Sequence, residues 1–149
     1  MKLSTRARYG LIATVDLACS YGEGPVSLPQ LAKEQGVSEG YLEQLLRSLK
    51  KDGIVETVRG VQGGYSLSRA PKDITVEEVL SSLEGSTALV DCVGTVSSGC
   101  EKACVCSARP LFLKLQREIN EVLSATSIQD LADDYMQQKR RIQYAEGLS

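Results

Sequence analysis

The sequence contains no histidine and no long apolar segment, and each absence excludes a class of protein. Without histidine, a zinc site that mixes cysteine and histidine ligands is impossible. Because there is neither a run of about 20 apolar residues nor a leader with a basic start and an apolar centre, we expect a cytoplasmic protein without a membrane segment. No nucleophile–base pair or phosphate-binding loop is recognisable either, so nothing indicates an enzyme.

The near-neutral net charge conceals a difference between the two halves of the chain. Residues 1–72 carry ten Lys/Arg against seven Asp/Glu, a net charge of +3, while residues 73–149 carry seven against twelve, a net charge of −5. The first half is therefore the better candidate for binding a polyanion such as DNA. Solvated surface charge is the alternative explanation of so small an excess.

Four of the five cysteines crowd into one Gly/Ser-rich loop, at Cys92, Cys100, Cys104 and Cys106. No two of them have the C-x2-C spacing of a zinc knuckle. An iron–sulfur cluster accepts wider spacing, and thiols in a reducing cytosol bind metal or do redox chemistry more often than they form structural disulfides. Cluster, zinc and redox dithiol all remain open. The fifth, Cys19, is expected to be a small core residue.

Capping signals predict two short helices separated by a glycine turn. Ser27 and Gln30 form a predicted capping box at the start of the first of these helices. Gly36 ends that helix, and Ser38 caps the next one, which stops before Gly53. Helix, tight turn and helix is the pattern of a helix-turn-helix.

The second of these helices has an apolar and a polar face. The apolar face is a predicted core stripe at helical spacing: Leu42, Leu45, Leu46 and Leu49. The polar face and the start of the helix supply candidate contacts to DNA bases and phosphates: Ser38, Gly40, Tyr41, Glu43, Gln44, Arg47 and Lys51. A solvated helix face is the alternative explanation of this pattern.

A first helix is predicted to begin after Ser4, with its core face formed by Ala7, Leu11, Val15 and Ala18. Arg6, Arg8 and Tyr9 lie in its first turns. Cations are poorly placed there for the helix dipole, so a nearby DNA phosphate explains them better, although plain solvated arginines are an alternative.

A Gly-rich hairpin follows the helix-turn-helix. The runs 54–58 and 65–67 are rich in β-forming residues and flank a turn at 60–64. Arg59 stands at the neck of this wing, where Gly60 lets the backbone approach a DNA minor groove closely. Three helices followed by such a hairpin predict a mainly α fold, a winged helix-turn-helix that binds double-stranded DNA.

Three segments of the head resemble the Rrf-type family of bacterial winged-helix regulators: MKLSTRARYGL at the start, SEGYLEQL at 38–45 and VRGVQGGY at 58–65. The cysteine loop resembles the iron–sulfur cluster regulator (IscR) branch of that family. The resemblance implies a homodimeric transcription regulator that binds an operator, with repression as the direction of control.

The same resemblance implies a two-iron two-sulfur (2Fe-2S) cluster held by Cys92, Cys100 and Cys106, which fall on the ligand positions of the IscR branch. That branch has a histidine three residues later, where this sequence has Arg109, so Cys104 becomes the candidate fourth ligand. Other members of the family are cluster-free regulators of cysteine metabolism or nitric-oxide sensors. A thiol-responsive regulator with zinc or no metal, or a nitric-oxide sensor, is therefore the alternative.

The second half of the chain predicts three more helices. Thr75 and Glu78 form a capping box for a helix that Gly85 ends. Pro110 begins a long helix with an apolar stripe that the small head cannot cover. The stripe comprises Leu111, Leu115, Ile119, Val122 and Leu123. We expect the same helix of a second subunit to cover it, with folding back onto the chain's own head as the alternative.

A short capped helix is predicted from Ser127 to Tyr135, followed by a frayed polar tail. The chain thus divides into a DNA-binding head (1–85), a cluster-binding loop (86–109), the dimerisation helix with a short packing helix (110–136), and the tail (137–149). A small redox carrier with a basic head is the alternative function class, but such a carrier has no use for the wing.

Overall fold

The computed structural model describes residues 2–93 and 105–147, which form six α-helices and one two-stranded antiparallel sheet. This confirms the mainly α fold with a two-stranded wing. The elements are α1 (Thr5–Cys19), α2 (Leu28–Gln35), α3 (Glu39–Lys51), β1 (Val55–Val58), β2 (Gly64–Leu67), α4 (Val76–Glu84), α5 (Arg109–Ala125) and α6 (Ile128–Gly147). None of the described helices is long and apolar enough to cross a membrane.

The core of the head lies where α1, α3, α4 and the first turn of α6 meet. All four leucines of the predicted α3 stripe are fully buried, which confirms that face as core. Burying a leucine side chain contributes about 1.5–3 kcal/mol, so this stripe is a main source of the head's stability.

The core face of α1 differs from the prediction. Its buried residues are Ala7, Gly10, Ala13, Thr14, Leu17 and Ala18. Leu11 and Val15 are only half-buried at the flank of this face. Gly10 explains the shift, because a Cβ atom at this position would collide with the side chain of Leu83 on α4. The close approach of α1 and α4 therefore rotates α1 toward its small residues.

Cys19 is half-buried and packs against the core, close to its predicted place. Burial raises the pKa of its thiol, and the nearby carboxylate of Asp16 raises the pKa further. The Cys19 thiol is therefore kept protonated, as suits a small packing residue.

Side-chain caps fix the starts of several helices. Ser4 and Ser38 accept hydrogen bonds from backbone amides three residues on, as expected at N-caps. Thr75 and Glu78 form the full predicted capping box. The box at α2 is only half formed. The backbone amide of Gln30 donates to the Ser27 hydroxyl, but the Gln30 side chain donates to Glu34 instead of reaching back to the Ser27 backbone.

The wing is a short hairpin in which Val55 pairs with Leu67 and Val58 with Gly64. Its second strand also pairs with the loop before α2, where Val26 and Tyr65 exchange two backbone hydrogen bonds of 2.9 and 2.8 Å. A side chain at Gly64 would collide with the Val26 carbonyl. The glycine therefore lets the wing lie directly against the helix-turn-helix.

The last helix is longer than predicted. The expected capped start is present, since Ser127 accepts a hydrogen bond from the Asp130 amide and donates its own amide to the Asp130 carboxylate. The expectation of a frayed tail is wrong, because α6 continues to Gly147. Residues 137–146 contain no glycine or proline and are rich in Gln, Lys and Arg, which favour a helix even on an exposed surface.

Candidate nucleic-acid interface and cysteine loop

The polar face of α3 lies on the surface opposite the buried leucines. Its members are Gly40, Glu43, Gln44, Arg47 and Lys51, all of them exposed. Because the leucines anchor α3 from behind, these side chains project from a fixed helix rather than from a loop. The face thus has the geometry of a helix that can enter a major groove.

Two residues of this face form an ion pair with each other. The Arg47 guanidinium lies 3.6 Å from the Glu43 carboxylate, one helical turn away, and both side chains are largely exposed. Such a surface pair contributes little to stability, about 0.3–0.5 kcal/mol. It can therefore exchange for contacts to DNA at low cost.

The wing is tied to α3 at its base. Lys50 donates a 2.9 Å hydrogen bond to the Thr57 hydroxyl on β1. Burial and the Glu43 carboxylate raise the pKa of Tyr65 on β2, while Arg47 lowers it. Strand β1 packs against α3 and pairs with β2, so the wing lies beside this helix. The base of the wing and that face therefore belong to one surface.

Arg59 and Gly60 follow β1 at the edge of this surface. Both are exposed, and the φ angle of Gly60 is +124°, which favours glycine. The turn continues to Val61, whose side chain is fully exposed at the tip. The wing thus presents Arg59 to solvent, as the sequence predicted.

The start of α1 lies alongside α3. The rings of Tyr9 and Tyr41 meet edge to face, with centroids 6.2 Å apart. Arg6 donates a 3.4 Å hydrogen bond to the Ser48 hydroxyl, and Arg8 is exposed. The structure therefore brings the predicted contacts of α1 next to those of α3. Ser38 is occupied as the helix cap, where its hydroxyl accepts from the Tyr41 amide.

The structure describes two of the four loop cysteines. Cys92 lies in a 3-10 turn, Asp91–Val93, and Cys106 lies just before α5, where its carbonyl accepts a 3.3 Å hydrogen bond from the Arg109 amide. Both cysteines are half-buried and neither forms a disulfide. Cys100 and Cys104 lie outside the described residues. Within residues 2–93 and 105–147, no three His, Cys, Asp or Glu side chains lie close enough together to hold a metal ion.

Arg109 is the first residue of α5. Its Nε atom is buried and donates to no acceptor in the described part of the chain. A guanidinium stays protonated and has no lone pair to give to a metal. Arg109 therefore cannot act as the nitrogen ligand that a histidine would supply at this position.

Gln116 connects the segment before the cysteine loop to α5. It is the only buried residue of that helix in the structure as described, and its amide oxygen accepts a 2.7 Å hydrogen bond from the Leu89 backbone. Its amide nitrogen donates to the Thr87 carbonyl at 3.3 Å and to Asn120 at 2.9 Å. Gln116 was not among the residues predicted from sequence, although its place beside an apolar stripe was a visible signal.

The apolar stripe of α5 is divided. Leu123 packs against the head and Ile119 is half-buried in a cavity between α5 and the head, so the chain covers this part itself. Leu111, Leu115 and Val122 are 55%, 38% and 64% exposed. These three residues lie on one side of the helix because their spacing is four and seven residues. The predicted stripe therefore leaves one apolar face without a partner in the described chain.

Comparison with known proteins gives consistent matches over nearly the whole chain. A family model described as "Rrf2: Iron-dependent Transcriptional regulator" matches residues 3–134. The HTH-type transcriptional regulator CymR of Bacillus subtilis (strain 168) is 37% identical over 132 residues, which cover 89% of this chain and 90% of CymR. The HTH-type transcriptional regulator IscR of Aliivibrio salmonicida (strain LFI1238) is 37% identical over 134 residues, 90% of this chain and 79% of that protein.

Solved structures agree with these sequence matches. The structure of CymR, described as the global cysteine regulator of B. subtilis, has a TM-score of 0.75 at 38% identity and covers 89% of this chain and 97% of that chain. The structure of T. potens IscR has a TM-score of 0.73 at 39% identity and covers 91% of this chain and 88% of that chain. The two relatives are thus almost equally similar to this chain.

Proposed function

The chain belongs to the Rrf2 family of transcriptional regulators, and from this premise we propose that it is a dimeric cytoplasmic repressor controlled by an iron–sulfur cluster in its cysteine loop. Its relatives are HTH-type regulators, so the chain is a DNA-binding regulator and not an enzyme. The dimer, the cluster and the repressor role are proposals that go beyond membership of this family. Repression is supported by the family resemblance of the sequence alone.

The observation that carries the DNA-reading part is the exposed polar face of α3 over a fully buried leucine stripe. In this proposal α3 enters the major groove, where Gln44 and Arg47 can donate to base edges and Glu43 can accept from cytosine. Arg59 enters the adjacent minor groove from the wing. Arg8, Tyr9, Ser38, Gly40, Tyr41 and Gly60 complete the proposed contact set.

The dimer part is supported by the uncovered apolar face of α5. If the same helix of a second copy crossed over this face, it would bury Leu111, Leu115 and Val122. The same three residues of each copy would then be covered by those of the other. Two heads held on one such dimer would bind two half-sites together. The dimer would therefore bind an operator far more tightly than a single head.

The donor set fits an iron–sulfur cluster through its thiolates. Cys92 and Cys106 are half-buried free thiols, and soft thiolates are the preferred ligands of iron–sulfur iron. We propose them as ligands together with Cys100, and Cys104 as the fourth, because Arg109 cannot coordinate and the sequence has no histidine. When bound, the cluster would supply a redox-active centre that can be lost.

Gln116 offers a physical route from the loop to the dimer helix. It holds Thr87 and Leu89 against the middle of α5, and Leu89 lies three residues before Cys92. A change of ligation at Cys92 would therefore pull on a segment that is hydrogen-bonded to α5. Because α5 would set the distance between the two heads, such a pull would alter the fit to both half-sites.

A cluster-free, thiol-responsive regulator is the second candidate. The near-equal similarity to CymR and to IscR supports this second candidate, as does the absence of the histidine that the IscR branch carries. In this case the loop cysteines would respond by oxidation rather than by holding iron.

Anaerobic reconstitution with iron and sulfide, followed by iron and sulfide analysis and visible absorption, distinguishes the candidates. The proposal expects bound iron and sulfide with thiolate-to-iron absorption, lost in Cys92→Ala and Cys106→Ala. Cys104→Ala decides whether Cys104 is the fourth ligand. Zinc binding without any iron under the same conditions would favour the cluster-free candidate.

A further inference from the structure

A cavity of about 720 Å³ lies between α1, α2 and α6. Its walls include Leu11 and Val15 of α1 and Leu131 of α6, which give it a largely apolar lining. Cavities of about 300–1,000 Å³ with apolar walls and a few polar groups are typical of small-molecule sites. Its size and lining therefore suit a small organic ligand.

One polar group in this cavity is buried without a partner. The Gln35 amide nitrogen donates a 3.1 Å hydrogen bond to the Asp16 carboxylate, whereas the Gln35 amide oxygen is buried and accepts no hydrogen bond in the described chain. Turning the amide over would set its oxygen against the carboxylate, so the Asp16 contact fixes its orientation. The Gln35 side chain is thus held in the wall of the cavity by its contact with Asp16.

The charges at this end of the cavity favour a cationic ligand. Asp16 and Glu34 both line the cavity with carboxylates. Burial raises the pKa of Asp16, the Gln35 hydrogen bond lowers it, Glu34 raises it and Lys139 lowers it. Lys139 itself lies over the Tyr135 ring, 4.5 Å from its centre. Acceptors therefore outnumber donors at the polar end of the cavity.

We propose that this cavity binds a small molecule with an ammonium group on an apolar or aromatic body. The ammonium would face the Asp16 and Glu34 carboxylates, while the body would pack against the apolar walls. Tyr135 and Lys139 of this wall lie beyond the residues 3–134 that the Rrf2 family model matches.

The cavity also borders the proposed DNA-reading surface. Tyr9 lines the cavity and its ring meets the edge of Tyr41 in the first turn of α3. A bound ligand would therefore contact a ring that packs on the start of α3. Ligand binding itself does not depend on the DNA-reading role, so the two can be tested separately.

Fluorescence of an indole ligand tests the site directly, because the chain contains no tryptophan. Tryptamine carries an ammonium group on an aromatic body, and indole-3-propionate carries a carboxylate on the same ring. We expect saturable blue-shifted emission of tryptamine with the wild-type protein and no shift for indole-3-propionate. Tryptophan, tested in parallel, distinguishes an amino acid from a simple amine as the source of the ammonium group.

Variants of the lining residues test whether tryptamine binds in this cavity. Asp16→Asn should weaken tryptamine binding about tenfold or more, as expected for the loss of a charge-assisted contact. The control Glu23→Gln, which removes an exposed carboxylate outside the cavity, should bind as the wild type does. Ile12→Arg should also weaken binding, since it places a competing cation at a 45% exposed position of the lining that tolerates a polar side chain.

The proposal is overturned if tryptamine emission does not change with the wild-type protein, or if indole-3-propionate binds equally well. It is also overturned if Ile12→Arg, or a folded Asp16→Asn, binds tryptamine with wild-type affinity. Because these titrations contain no DNA, none of these results would bear on the proposed regulator function.

Discussion

The side-chain oxygen of Gln116 accepts a 2.7 Å hydrogen bond from the backbone amide of Leu89. The same side chain, only 7% exposed, donates to the Thr87 carbonyl. One glutamine therefore fixes the segment that leads into the cysteine loop to the middle of α5. The segment before the cysteine loop and the proposed dimer helix are coupled here through hydrogen bonds between the Gln116 side chain and the backbone.

Gln116→Leu should lower the free energy of unfolding by about 1–3 kcal/mol, because leucine has a similar volume but leaves the Leu89 amide unsatisfied. Urea unfolding measures the change. The matched control is Gln143→Leu on the exposed part of α6, which should change stability little. Equal stability of the two variants would mean that the Gln116 hydrogen bonds do not hold this segment.

Arg59→Ala should reduce operator affinity by about 1–3 kcal/mol if the wing arginine reaches the minor groove. Arg140→Ala removes the same charge from the exposed part of α6 and serves as the control. Fluorescence anisotropy at one fixed salt concentration compares them, since phosphate contacts depend strongly on salt. The same small loss for both variants would assign Arg59 only a long-range electrostatic role.

Leu115→Glu combined with Val122→Glu should dissociate the proposed dimer, because both copies would bring carboxylates to an apolar contact. These two residues are better targets than Ile119, which is half-buried in the cavity between α5 and the chain's own head. Analytical ultracentrifugation should give a monomer for this variant and a dimer for Ile142→Glu, an exposed control on α6. An intact dimer in the double variant would place the interface on another surface.

Glu78→Gln should destabilise the head at neutral pH by about 0.2–1 kcal/mol, because glutamine can still accept from the Thr75 amide but loses the partly exposed ion pair with Arg69. Burial raises the pKa of Glu78, but hydrogen bonds from Thr75 and from Arg69, 2.5 Å away, outweigh burial and hold the pKa below 4.5. The folded pKa is thus below the unfolded one, so this stabilisation is present above about pH 4.5 and is lost as the pH falls through the folded value.

Thermal unfolding at several pH values tests this. The wild type and Glu78→Gln should differ at neutral pH and converge in acid, as the Glu78 carboxylate becomes protonated. A difference that stays constant down to pH 3 would mean that the Glu78 charge does not carry the effect.

The helical framework could be predicted from sequence because its signals are local. The α3 leucines repeat at helical spacing, and the Thr75–Glu78 box spans a single turn. Such patterns depend only on residues three or four positions apart, so they can be recognised without knowing the tertiary structure.

The remaining features depend on contacts between distant residues. The backbone partners of Gln116 lie 27 and 29 residues away, and the Gln35 side chain on α2 donates a hydrogen bond to Asp16 on α1. The α1 face was predicted only in part for a related reason. Ala7 and Ala18 are buried as expected, but Gly10 and Leu83 on α4 determine together which other residues of α1 face the core. No periodic pattern within a single helix contains this information.

The central claim is that a cluster held by the cysteine loop controls DNA binding, and one titration tests it most directly. DNA selected by binding from the organism's own genome is titrated anaerobically with reconstituted protein, with apo protein and with Cys92→Ala carried through the same reconstitution. We expect reconstituted and apo wild type to differ in affinity, and Cys92→Ala to bind as the apo protein does. Equal affinity of all three samples, or no preference over a scrambled duplex of equal length, would contradict the claim.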